Sequence, residues 1–171
     1  LAALSPAGEV DRGAPSQALG TRLRIREAGL SLKKYPMCFA THRSVDAAID
    51  LATRHDIDPA RVKSIAATIG VAQASMLRNH APRTSLEAKF SLEFAIAAAL
   101  TARKVGLAEL DDAVVNRADV RALFGKLSIA TTDTRSPVEA SMSAADRVVV
   151  TLDDGRVLDS GEVPYARGDA A

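Results

Sequence analysis

Residues 147–161 read RVVVTLDDGRVLDSG, and this pattern decides what kind of fold the chain can make. Val148, Val149 and Val150 are β-branched residues suited to a pleated surface, and Val157 and Leu158 restore the apolar character after Asp154-Gly155. The spacing predicts a β-hairpin in which Asp154 and Gly155 supply the positive φ angles of a tight turn. A lone hairpin is marginal in water and needs further strands to bury its apolar face. Upstream, Ile65, Ala67, Ile69 and Val71 alternate with Ser64, Ala66, Thr68 and Gly70, the period of a strand with one buried face. Residues 127–131 predict another strand, and TRLRIREAGLSL, with Leu23 and Ile25, a short one.

Helical patterns interrupt these strands. Val45, Ala48, Ile49 and Ala52 fall at i, i+3, i+4 and i+7, which predicts a helix with Ser44 as N-cap, His55 at its C-terminal end and a stop before Pro59. In RTSLEAKFSLEFAIAAALTARK, Thr84 and Glu87 have capping-box spacing ahead of a long apolar run closed by Lys104 or Gly106, which predicts one long, deeply buried helix. Val120, Leu123 and Phe124 share a face of a further helix over 118–124. Strands and helices without strict alternation predict an α+β, two-layer sandwich: a mostly antiparallel sheet of about four strands with about three helices on one face.

With 171 residues the chain can bury one sizeable core. Residues 1–20 mix Pro, Gly, Ser and charges without period, the composition of a linker or peripheral segment. The folded domain is expected over 21–164 and a tail over 165–171. A start at Leu1, with neither an initiating Met nor a basic n-region, reads as a piece cut from something longer rather than a signal peptide. Basic and acidic side chains number 22 and 21, a balance that leaves no footprint for nucleic acid or an anionic membrane. No apolar run approaches the roughly 20 residues that cross a bilayer, and the single cysteine, Cys38, fits a reducing cytoplasm.

Chemistry concentrates at residues 33–42, KKYPMCFATH. Elsewhere the chain carries no GxGxxG, Walker loop, GxSxG, HExxH or CxxC, so nucleotide, serine-hydrolase and metal readings lack their anchors and no cofactor is expected. His55 and His80 read as structural. Pro36 holds Tyr35 extended, placing Lys33 and Lys34 on a stiff segment, while His42 precedes a helix N-terminus that favours an anion. Lysine, imidazole and helix terminus together would suit a di- or tricarboxylate. The plainer alternative leaves both lysines solvated, puts Tyr35, Cys38 and Phe39 in the core, and has His42 cap the helix.

KKYPMCFATH followed by SVDAAIDL resembles the Lys-x-Tyr-Pro-x-Cys-x-x-x-His segment of the MmgE/PrpD family, which includes 2-methylcitrate dehydratase, cis-aconitate decarboxylase and iminodisuccinate epimerase. PRTSLEAKFSLEFAIAAAL is similar to the family's Pro-x-Thr and Glu-Ala-Lys-Phe-Ser stretch, and RVVVTLDDGRVL with the later ARGD looks like its closing hairpin. The resemblance runs over roughly 19–168 and covers the smaller α+β lid of these enzymes, without the large helical domain that carries further active-site residues.

That resemblance implies a cofactor-independent lyase or isomerase that transfers a proton next to a carboxylate of a small di- or tricarboxylate, with this chain as one half of the site and inactive alone. The missing helical domain and a second copy of the parent chain are its implied partners. Lys33 aligns with the lid lysine that would hold a carboxylate or an enolate-like intermediate, with Lys34 beside it on the substrate side. Cys38 and His42 fall on recurrent Cys and His positions, where His42 would be catalytic, orienting or reprotonating the substrate, and Cys38, with Phe94, would border it; in the decarboxylase the Cys position is a histidine. Phe94 stands where the family often has tyrosine, and the missing hydroxyl argues against decarboxylation. Lys89 reads as structural. The competing expectations are a non-catalytic oligomerisation module and an anionic-metabolite-binding module.

Overall fold

The computed structural model describes residue 20, residues 23–137 and residues 141–169. Apart from Gly20, the expected linker lies outside them. The described residues divide into two units, one ending at Ser31 and one running from Leu32 to Asp169. In the first, helix α1 (Arg24–Ala28) replaces the expected strand and ends on Gly29 at φ 69°. Leu23 and Ile25 are exposed, so no sheet rewards their alternation, and the helix propensity of Arg, Glu and Ala prevails.

In the second unit the predicted sheet is present, with strands β1 (Val62–Gly70), β2 (Leu127–Thr132), β3 (Arg147–Leu152) and β4 (Val157–Asp159) in the order β2-β1-β3-β4. The β1–β3 and β3–β4 pairings are antiparallel and β1–β2 is parallel, so the sheet is mixed. Opposite Ile65 stand Leu127 and Val150, and opposite Ala67 stand Ile129 and Val148. This register gathers the apolar side chains on one face, which joins the core cluster, while Ser64, Ala66, Ser128 and Ala130 are exposed on the other. The fold is α+β with its helices packed on the apolar face.

Helix α2 (His42–Arg54) packs against β3 and against a second long helix. It begins three residues earlier than predicted, with Thr41 in place of Ser44 at the N-cap position, because Arg43 and Ser44 are drawn inward by side-chain hydrogen bonds. The expected long helix is broken. Its capping box on Thr84 and Glu87 forms, yet serves only the single turn α4 (Ser85–Ala88). Ser91 then adopts an extended backbone, accepts from the Phe94 N–H at 3.2 Å and starts α5 (Leu92–Ala102). The second cap redirects the chain so that Leu92–Leu100 are buried on every side, at the centre of the core. Arg103, at φ 56°, ends α5 before the expected Lys104 or Gly106.

Three more short helices stand between β1 and β2: α3 (Val71–Met76), α6 (Asp112–Val115) and α7 (Ala118–Arg121). The helices therefore exceed the expected number, since single turns held by a cap such as Asp111 leave no apolar period to read. Val71 leaves the strand pattern to open α3. In the hairpin, only Gly155 takes positive φ (86°), and its N–H donates to Leu152 O at 3.1 Å, while the Leu152 N–H donates to Arg156 O at 2.9 Å. This is a three-residue loop with a bulge rather than the predicted two-residue turn. Beyond β4 the chain stays attached to the domain. Arg167 N–H donates to Asp46 Oδ2 at 2.8 Å, and Leu32 N–H to Gly168 O at 2.7 Å.

Ile69→Ala should lower the unfolding free energy by about 2–5 kcal/mol, whereas Leu107→Ala, at a side chain 80% exposed, should change it by less than about 0.5 kcal/mol. Urea denaturation followed by circular dichroism measures both; similar losses would contradict the placement of the core.

Candidate functional site

The segment 33–42 is laid down by backbone bonds before its side chains matter. Cys38 N–H donates to Lys89 O at 2.9 Å, and Thr41 Oγ1 to Cys38 O at 2.8 Å. The two stretches KKYPMCFATH and EAKFS are thereby joined, although some fifty residues separate them in the chain. Lys33 is exposed and its Nζ donates to Met37 O at 3.2 Å, which folds the start of the segment back on itself. Lys34 is also exposed, 3.9 Å from Asp46 Oδ1 and 5.3 Å from the centre of the Tyr35 ring. Tyr35 is buried and donates to the same Asp46 carboxylate. Burial, followed by that carboxylate, pushes the phenol far above its ordinary value.

His42 is fully buried, and neither ring nitrogen has a hydrogen-bond partner. Tyr35 meets its ring edge-on at 5.1 Å between centroids, and Phe39 lies 4.8 Å away. Burial lowers its pKa; the charge of Lys33 acts in the same direction and that of Asp46 against it. The segment thus brings Lys33 within electrostatic reach of a neutral imidazole.

Other sequence expectations fare differently. Phe94 is wholly buried in α5, and Cys38 is half-buried against the core. His55 ends α2 as expected. His80 Nδ1 lies 2.7 Å from Glu93 Oε1, and Lys89 borders a shallow groove with Ser85, Asp111 and Asp112. The expected anion position at the start of α2 is closed. Thr41, His42, Arg43 and Ser44 are all buried, because Arg43 turns inward instead of leaving the helix terminus open to solvent.

That inward turn reveals a constellation the sequence did not signal. Arg43 pairs with Asp146 at 2.9 Å and donates to Ser143 O and Pro164 O, both at 3.0 Å. Gln73 Nε2 donates to Asp146 Oδ1 at 3.1 Å and to Ala40 O at 3.3 Å, and Ser44 Oγ donates to Asp146 Oδ2 at 3.1 Å. Burial pushes the Asp146 carboxyl above its ordinary range, against the pull of Arg43 and the Gln73, Ser143 and Ser44 donors. Four segments remote in sequence meet here, and the one hint was a charged Arg43 between residues destined for the core. Among the described residues no three His, Cys, Asp or Glu side chains cluster as a metal site, and no helix is long and apolar enough to cross a membrane.

The family profile described as MmgE/PrpD C-terminal domain matches residues 35–171. The chain belongs to the MmgE/PrpD family. A comparison with curated proteins returned no match. Tyr35, Cys38, His42, Phe94 and the Arg43–Asp146 pair lie inside the matched span of this MmgE/PrpD domain, and Lys33 and Lys34 stand just ahead of it.

A histidine whose folded-state pKa is lowered binds its proton more readily in the unfolded chain. The stability it contributes is full above the unfolded value of about 6.5 and is lost as pH falls below it. The urea midpoint of the wild-type domain should therefore fall between pH 7.5 and 5 more steeply than that of His42→Leu. Parallel slopes would show that His42 is not held neutral in the fold.

Proposed function

We propose that this chain is the lid of a cofactor-independent lyase or isomerase that acts on a small di- or tricarboxylate by proton transfer at the carbon next to a carboxylate. The observation that carries this reading is the family match over 35–171. The geometry of the motif segment supports it, with an exposed lysine whose Nζ donates to Met37 O on a braced backbone.

A carbon acid of this kind is weak, so the enzyme must stabilise the negative charge that develops as the proton leaves and must supply a base tuned to working pH. Lys33 is assigned the first task. As a compact cation on a flexible stem it binds a substrate carboxylate or the enolate-like oxygen without itself accepting the proton. Lys34 adds positive charge beside it, and Cys38 borders the same segment. The base comes from the helical domain of the parent protein, as does the rest of the substrate pocket. The motif position implies a catalytic His42, but its ring is wholly buried against Tyr35 and Phe39, so its proposed part is to support the segment from behind, and the buried Phe94 likewise lies away from substrate. Phe94 brings no hydroxyl, which favours elimination or reprotonation over decarboxylation. The parent protein is proposed to work in the cytoplasm as a homodimer.

A second reading, a non-catalytic module for subunit contact, draws on the open sheet face of Ser64, Ala66, Ser128 and Ala130. The two readings part in one experiment. The full-length protein, incubated in D2O with citrate-like, aconitate-like and iminodisuccinate-like acids, should incorporate deuterium next to a carboxylate, as read by proton NMR. Lys33→Ala should lower kcat/KM by about 10²-fold or more while changing the unfolding free energy by less than about 0.5 kcal/mol. An unchanged kcat/KM would remove Lys33 from the mechanism, and no exchange with any acid would favour the contact module.

A further inference from the structure

The order β2-β1-β3 obliges the connection from β2 to β3 to cross β1, which lies between them. The register fixes where. Thr132, at the end of β2, stands opposite Gly70, and Arg147, at the start of β3, stands opposite Thr68. The described parts of the connection, up to residue 137 and from residue 141, therefore form the two sides of an arch beside the C-terminal end of β1, where the chain leaves β1 into α3. Here a crevice encloses about 430 Å³ between the Gly70–Ala72 turn and the two described ends of the arch, within the range of small-molecule sites.

Its floor is built rather than incidental. Gly70 N–H donates to Gln73 Oε1 at 3.0 Å, and a Cβ at Gly70 would come within 2.7 Å of that oxygen and 3.0 Å of the Ser143 nitrogen. Gln73 and Ser143 are in turn locked by the Arg43–Asp146 pair. On the walls, Val71, Ala72 and Met142 supply apolar surface, and Ser75, Thr132 and Thr134 supply hydroxyls. Arg135 also lines the crevice, exposed and without an ion pair among the described residues, and Asp133 is the one carboxylate among the described residues that line it. None of Lys33, Cys38 and His42 lines this space.

We propose that the crevice is a second binding site, for the oxyanion of a small organic acid or phosphate ester. The Arg135 guanidinium takes two of the oxyanion's oxygens through its paired N–H groups, and the ligand's carbon body lies on Val71 and Ala72; the Ser75 and Thr132 hydroxyls, which donate to Ala72 O at 2.8 Å and Thr134 Oγ1 at 3.2 Å, join the shell only by exchanging those bonds for the oxyanion. Asp133 opposes an anion and sets the affinity by its distance from the bound charge. The site stands whether or not the motif segment is catalytic.

The test uses the full 171-residue chain, labelled with nitrogen-15, titrated in separate arms with malonate and with inorganic phosphate. Saturable shifts should appear at Gly70, Val71, Ser75, Thr134 and Arg135. Arg135→Gln should weaken binding about tenfold or more, Asp133→Asn should tighten it, and Arg54→Gln, at an exposed arginine outside the crevice, should leave it unchanged. Binding in one arm identifies carboxylate or phosphate as the ligand chemistry, and binding in both an unselective oxyanion site. No saturable shift in either arm would overturn the proposal, as would equal losses in Arg135→Gln and Arg54→Gln.

Discussion

Arg43 and Asp146 meet 2.9 Å apart with side chains 3% and 0% exposed, and the arrangement of the domain depends on that pair. Two charges withdrawn from water are tolerated only when each finds several partners. Arg43 finds Ser143, Pro164 and Gln73; Asp146 finds Gln73, Ser44 and Ser143. These partners come from the start of α2, the turn after β1, the approach to β3 and the segment beyond β4. Losing either charge would leave the other buried and uncompensated, which costs about 3–5 kcal/mol in comparable cases. The pair is therefore less a source of stability than a condition on geometry, because the four segments can pack only where nearly all the donors and acceptors are satisfied together, Arg43 Nε alone among the pair's polar atoms being left buried without a partner.

That condition shapes both regions with chemical potential. At the start of α2 it turns Arg43 inward and closes the helix terminus to solvent, which leaves Lys33 and Lys34 as the exposed cations of the motif segment. At the end of β1 it holds Gln73 and Ser143 rigid, and with Gly70 they make a floor too tight for a side chain. A second carboxylate, Asp46, does comparable work on the other side of α2, where it takes the Tyr35 hydroxyl and the Arg167 backbone N–H. The helix is thus tied at one point to the motif before it and to the chain that follows the hairpin. His42 sits between these anchors in an aromatic setting that leaves its nitrogens unpaired, a cost consistent with an imidazole kept neutral.

Much of the sheet was legible because its signal is local. Alternation in 64–70 and 147–152 reports which face is buried without reference to anything distant. The family motifs were legible for the same reason, as short runs with fixed spacing. The break between α4 and α5 was not. Apolar periodicity runs through Lys89 and Phe90, and Ser91 serves as a cap only because α5 must enter the core at a new angle. Nor was the start of α2, where Ser44 looked like a cap until Asp146, far along the chain, took its hydroxyl.

The sequence by itself determined the class of the fold, the order of its strands along the chain, the hairpin and the family to which the chain belongs, since each follows from short-range pattern and steric preference. Only the tertiary structure decided which candidate groups face solvent and which are buried, placing Lys33 outside and His42 and Phe94 within. It alone brought Arg43 to Asp146 and made a crevice at the end of β1. Burial and the partnering of charges depend on residues distant in the chain, and no local pattern carries that information.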